Sequence, residues 1–222
     1  FGKGHRLIPG KPLYQNGFFA AQETVMLVGP RRRMLPEVRV LGPTRLHSQV
    51  ELALTDAISL GIDAPFGILE ILQARPVALG GPAGAVELKE GVIRAARHVH
   101  MNFEEANYYG VQNGQVMTLK VSSPQCSISF NDVLVRADSS AKLEVHIDTD
   151  EGNACNLDSA TEVILKPQGD CKCSKTGDKV MAGRLAQPPY GGHAGAACHA
   201  LLRLANVHLR VTNFFTNLAT FL

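Results

Sequence analysis

The sequence predicts a mainly β fold, and three observations carry that prediction. Short apolar runs alternate with polar residues at the period of two that half-buried strands require. Glycine and proline close many of these runs, as at Gly29-Pro30 and Gly42-Pro43. The stretches with helical character are only a turn or two long. Strands this short, at this spacing, point to small barrels or sandwiches.

Taken in order, residues 23–28 form a strand ending at Gly29-Pro30, and 37–41 form another before Gly42-Pro43. The two pair as a hairpin around Arg31-Arg32-Arg33, a basic run that reads as a solvated loop, with phosphate or coenzyme A contact as the alternative. Residues 49–54 alternate cleanly, and 55–61 read as a short capped helix ended by Gly61. Strand-like residues 86–88 and 92–93 flank a turn at Glu90-Gly91. A short helix with an Asn102 cap occupies 102–110, and strands follow over 116–121, 128–130, 133–136 and 143–147. The strand–helix–glycine order of 45–60 echoes that of 144–157, a weak internal repeat that suggests two related units.

Composition sets limits. The chain has 222 residues, 45% hydrophobic and 19% charged, which suits one or two compact domains with a real core. A net charge of +2, no tryptophan and 6% aromatics give no footing for nucleic acid as a partner. Five unevenly scattered cysteines make no disulfide framework, so a reducing compartment is expected. No secretory signal precedes the first strand, and the chain starts at Phe1 rather than at a methionine.

Histidines carry the chemistry. His98 and His100 stand at i and i+2 on an extended run and so share one face. His146, in the alternating run 143–147, supplies a third imidazole from a second strand. Three such ligands hold a zinc ion and leave its fourth position open, the arrangement of a catalytic site. Surface or hydrogen-bonded histidines are the competing interpretation.

Five stretches together resemble a known family: Phe19-Ala20-Ala21-Gln22-Glu23-Thr24-Val25, Val38-Arg39-Val40-Leu41-Gly42-Pro43-Thr44-Arg45, Val86-Glu87-Leu88-Lys89-Glu90-Gly91-Val92-Ile93, Ala95-Ala96-Arg97-His98-Val99-His100-Met101 and His146-Ile147-Asp148-Thr149-Asp150-Glu151. The chain resembles the phosphate propanoyltransferases, phosphotransacylases associated with bacterial microcompartments, from Phe1 to about Leu165. The resemblance implies two consecutive small β-barrels capped by short helices, the first over 1–96 and the second over 97–166. The C-terminal-half barrel would lack its N-terminal strand, and 167–222 form an extension outside the resemblance.

It further implies transfer of a short acyl group, propanoyl above all, between coenzyme A and phosphate at zinc. His98, His100 and His146 match the ligands of one zinc, Glu51 matches the carboxylate ligand of a second, and Arg45 matches the phosphate-binding arginine. Arg45 and Glu51, six apart, share strand parity if the turn between them keeps register. The second zinc's histidine pair belongs to a family strand that lies before Phe1, so one zinc is expected here. Acyl-CoA, coenzyme A and phosphate are the implied partners, with microcompartment proteins and a homo-oligomer beside them. The implied location is the bacterial cytoplasm or a microcompartment within it. A non-catalytic zinc-binding remnant with an interaction role, or a zinc hydrolase, are the alternatives.

Cys126 and Cys155 are candidate acyl carriers only in principle, since small buried cysteines are far commoner. Cys171-x-Cys173 with His193, Cys198 or His199 fits no standard zinc module. Residues 194–222 are apolar but interrupted by Arg203 and Arg210, which disfavours a bilayer span and leaves an amphipathic helix or an improvised extension. The tail and the segment 66–77 both depart from the family pattern, as a shortened or misread reading frame would make them.

Overall fold

The computed structural model describes residues 1–30, 32–67, 77–168, 181–184, 199–204, 207–213 and 218–220. The chain is mainly β and divides into two compact units, Phe1–Ala96 with Phe215–Leu222, and Arg97–Phe214.

The first unit holds β1 (Pro9–Pro12), β2 (Phe19–Val28), β3 (Met34–Gly42), β4 (Gln49–Leu52), helix α1 (Leu54–Leu60), β5 (Val77–Gly81), β6 (Gly84–Leu88) and β7 (Val92–Arg94). The second holds β8 (His98–Met101), α2 (Phe103–Tyr109), β9 (Val116–Ser122), β10 (Ile128–Ala137), β11 (Glu144–Ile147), α3 (Thr149–Ala154), β12 (Glu162–Pro167), β13 (Met181–Arg184), β14 (His199–Leu204) and β15 (Val207–Asn213). The last strand, β16 (Leu218–Thr220), returns to the first unit.

Strand order exposes a repeat. The first sheet runs β6-β5-β2-β3-β16-β4-β7, with β1 on β2, and the second runs β13-β12-β9-β10-β8-β11-β15-β14. The two orders match over seven positions, from β6 and β13 to β7 and β15, and β14 and β1 have no counterparts. β16 lies parallel to β3 and antiparallel to β4, as β8 lies parallel to β10 and antiparallel to β11. β7 is parallel to β4, as β15 is parallel to β11. A short helix follows β4 and another follows β11, so the echo read between 45–60 and 144–157 is a repeat of topology.

Each sheet builds its own core from alternate residues. Leu27, Val38, Val40, Val50, Leu52, Leu60 and Val77 form the first, fully or almost fully buried. Val99, Met101, Met117, Leu119, Val145, Ile147 and Leu165 form the second. Each such side chain contributes about 1.5–3 kcal/mol on burial, which pins the register of the strand that carries it.

The β2–β3 hairpin forms as the sequence predicts. The Gly29 N–H donates to the Arg33 carbonyl and the Arg32 N–H to the Gly29 carbonyl, both at 3.0 Å, and Arg32 and Arg33 are exposed. Gly91 has φ +90°, and a Cβ there would overlap the Ser48 carbonyl oxygen, so only glycine lets β7 close against β4. The helix expected over 55–61 begins one residue earlier, and Ala53 at its N-cap makes no side-chain bond. Its end at Gly61, in the left-handed conformation, is as predicted. Strands β5 and β12, which the sequence reading does not assign, form by pairing with β2 and β9.

Of the two expectations for 194–222, an amphipathic helix or an improvised extension, the helix is corrected. The described part is extended: β14 and β15 form an antiparallel hairpin on β11, and β16 fills the space between β3 and β4. Strand edges present unpaired N–H and C=O groups that another strand satisfies and a helix cannot. Among the described residues no helix is long and apolar enough to cross a membrane.

Candidate metal centre

His98 and His100 project from β8, and their neighbours Val99 and Met101 point the other way into the core. On β11, Val145 and Ile147 enter that same core, which leaves Glu144 and His146 on the histidine face. Antiparallel register sets His146 opposite His98 and Glu144 opposite His100. Directly opposed side chains start about 4.5–5.5 Å apart at Cβ, so the four form one cross-strand patch.

Both ligand strands end alike. β8 stops two residues after His100 at Asn102, whose side chain accepts from the Glu105 N–H at 2.9 Å while Glu105 accepts from the Asn102 N–H at 2.8 Å. β11 stops two residues after His146 at Asp148, which forms the same reciprocal box with Glu151. These caps fix where each strand ends and hence where its histidines stand. Arg97 ties the two together. Its Nε donates to Glu151 Oε1 at 2.6 Å, its Nη1 donates to the Asn131 carbonyl at 2.8 Å, and its guanidinium lies 5.6 Å from the Phe130 ring centre.

The imidazoles form a nearly equilateral triangle, with ring centres 4.9, 4.8 and 4.9 Å apart. His98 Nε2 and His100 Nε2 are 3.2 Å apart, and the three ligand atoms lie within 4.8 Å of one another. Two nitrogens on one tetrahedral zinc, at about 2.0–2.1 Å from the ion, sit about 3.3 Å apart, which the His98–His100 pair matches. His98 and His146 are each 3% exposed and His100 is half-buried. Burial of this kind strengthens a metal's hold and screens it from competing water.

Arg45 and Glu51 belong to the first unit. Glu51 sits on β4 and accepts a hydrogen bond from Gln49 Nε2 at 2.8 Å. Arg45 is exposed in the loop before β4, with its guanidinium 5.3 Å from the Phe18 ring centre. The parity expected between the two residues does not apply, because the strand begins only at Gln49. Thr44, next to Arg45 in sequence, lines an open cavity of ≈ 420 Å³ with His5, Leu7, Val25 and Leu79.

Register explains why the first unit gathers no comparable cluster among the described residues. Leu218 lies opposite Glu51 and Thr220 opposite Gln49, as His98 lies opposite His146 and His100 opposite Glu144. The repeat thus puts Glu51 at the place of His146, with leucine and threonine at the places of the histidine pair.

Cys155 is fully buried, and burial pushes its thiol up to about 11, the opposite of an activated nucleophile. Cys126 is half-buried. Cys171, Cys173, His193 and Cys198 lie outside the described residues. Sequence reasoning missed Glu144, although its place two residues before His146 puts it on the same strand face.

The phosphate propanoyltransferase family model matches residues 1–158, which include Arg45, Glu51, His98, His100, Glu144 and His146. A phosphate propanoyltransferase of Planctopirus limnophila is 58% identical over 175 residues, covering 78% of this chain and 71% of the relative. Those of Thermotoga maritima and Salmonella typhimurium are 42% and 41% identical, covering 74% and 70% of this chain and 79% and 74% of theirs.

The chain belongs to the phosphate propanoyltransferase family.

As a phosphate propanoyltransferase relative it is a phosphotransacylase, an enzyme of phosphate acyl transfer. The family match ends at residue 158, so the strands from β12 onward lie outside it.

Proposed function

We propose that this phosphotransacylase moves a short acyl group, propanoyl by the names of its relatives, between coenzyme A and phosphate at a zinc ion held by His98, His100 and His146. The observation that carries this is the buried triangle of imidazoles within the segment that matches the family. Bound zinc supplies a Lewis acid and a soft site for sulfur. The three histidines hold that ion from one face, and the caps at Asn102 and Asp148 keep their strands in place.

Arg45 offers a planar fork that takes phosphate and orients an oxygen toward the acyl carbon. In the transfer, the phosphate oxygen–acyl carbon bond forms, the carbon–sulfur bond breaks and the sulfur leaves as coenzyme A thiolate. Neither cysteine takes part, which fits the raised thiol of Cys155. Glu51 is the carboxylate of a second zinc in the family pattern, and in this chain it stands opposite Leu218 rather than a histidine. One zinc per chain is therefore the proposed stoichiometry.

On the same grounds we place each sheet as the wall of a small barrel, with the domain division at Ala96/Arg97. The family further suggests a bacterial cytoplasmic enzyme, a homo-oligomer in a microcompartment alongside other proteins of propanediol breakdown.

The test is release of coenzyme A from propanoyl-CoA with and without phosphate. Phosphate-dependent release with acyl phosphate formed supports the proposal. Phosphate-independent release makes the chain a hydrolase, and no release with zinc still bound makes it a binding protein.

A further inference from the structure

Among the described residues of the second unit Glu144 is the most deeply buried carboxylate, 1% exposed, and no step of acyl transfer uses it. A charged group so far from water needs a partner of opposite charge or strong hydrogen bonding. Its Oε2 lies 3.0 Å from His146 Nε2, an ion-pair approach whose angle falls short of a straight hydrogen bond. In register, Glu144 stands between His100 on β8 and Arg210 on β15. The three imidazoles converge within 4.8 Å of one another, and the Glu144 carboxylate does not join that set.

The repeat supplies a second, independent observation. In the first unit, the residue two before Glu51 is Gln49, and its side chain binds the Glu51 carboxylate at 2.8 Å. By register Gln49 corresponds to Glu144 and Glu51 to His146. In both units, then, the i−2 residue of this strand brings a polar side-chain atom to within 3.0 Å of the side chain that the site would use. An amide is a poor metal ligand, so the function common to the two positions is holding, not ligation.

We propose that Glu144 is a positioning residue of the metal centre: its buried carboxylate accepts the Nε2 proton of His146 and fixes the ring with Nδ1 toward the metal. This rests on the His98, His100 and His146 metal site proposed above. A carboxylate behind a metal-bound histidine sets the tautomer and raises ligand basicity, and its loss typically weakens metal binding by about 10–100-fold.

The experiment uses the full chain loaded with zinc, and with cobalt(II) as a spectroscopic probe. Glu144→Gln keeps the side-chain shape and removes the charge. The expected result is one metal per chain, an unchanged tetrahedral cobalt spectrum, and affinity lower by about 10–100-fold in chelator competition. Unchanged affinity overturns the proposal and leaves Glu144 without a role at the metal. A cobalt spectrum showing one donor lost also overturns it, since Glu144 is then a ligand. Nitrogen-15 spectra of histidine-labelled wild-type protein decide the same point without a variant. Metal-bound Nδ1 with a protonated Nε2 at His146 supports the proposal, and metal at Nε2 refutes it. If wild-type protein binds no metal at all, the metal site itself falls, an outcome distinct from failure of the Glu144 role alone.

Discussion

Replacing His98 by glutamine removes one corner of the imidazole triangle while nearly keeping the volume of a side chain that is 3% exposed. Zinc sites with four protein ligands bind with about 10–16 kcal/mol, or about 2.5–4 kcal/mol per ligand when shared evenly. Loss of one ligand should then weaken binding by about 10²–10³-fold, at about 1.4 kcal/mol per decade. The geometry supports an undivided loss. His98 is within 3.2 Å of His100 at Nε2 and 4.8 Å from His146 between ring centres, and Val99 anchors its strand in the core. Chelator competition reads the affinity directly, and melting with and without chelator reads it independently. Wild-type protein with zinc at a thousand times its Kd gains about 4 kcal/mol, worth about 8–16 °C in Tm for a chain of this size. The variant should show little of that gain at the same zinc concentration. Wild-type affinity in His98→Gln, or a wild-type Tm indifferent to chelator, would refute the metal assignment.

Arg45→Lys should cut kcat/KM for phosphate by about 10–100-fold, the worth of one or two charge-assisted bonds, and leave KM for acyl-CoA unchanged in steady-state assays. Cys155→Ala should keep its rate of acyl transfer, and the Cys155 thiol should resist aromatic disulfide reagents at pH 8, because burial holds it near 11. Glu105 is held above the ordinary carboxylate value, chiefly by burial. The stability linked to its neutral form is present below the unfolded value and is lost as pH rises through the folded one. Glu105→Gln should therefore melt higher than wild type at pH 7, with the difference vanishing toward pH 4. The double variant Leu218→His/Thr220→His puts a histidine pair at the register positions opposite Glu51 and Gln49. Metal analysis should then find two zincs per chain rather than one, and a count that stays at one would break the register equivalence between the two sheets.

Local periodicity made the short strands, the β2–β3 hairpin and the Asn102-capped helix legible, because alternation and capping depend on neighbours within a few residues. It also put His98 and His100 on one face, since that follows from the pleat alone. The α1 start was misjudged because Thr55 looks like a cap, whereas the helix begins at Leu54 behind an uncapped Ala53. β5 and β12 escaped notice because their pairing with β2 and β9 outweighs terminal glycine and proline signals. The strands of the tail were hidden for the same reason. Their partners β11, β3 and β4 are far away in sequence, and periodicity carries no record of them.

By itself, then, the sequence determined the strand-rich class, the facing histidine pair and, through its long matches, the family. Only tertiary structure decided that His146 lies across from His98, that the Glu144 carboxylate comes within 3.0 Å of it, and that Arg97 joins the two ligand strands through Glu151. The physical reason is one of range. Side-chain parity is fixed by the adjacent peptide units, but a metal centre depends on register between strands about fifty residues apart, which burial of Val99 against Val145 in a shared core enforces.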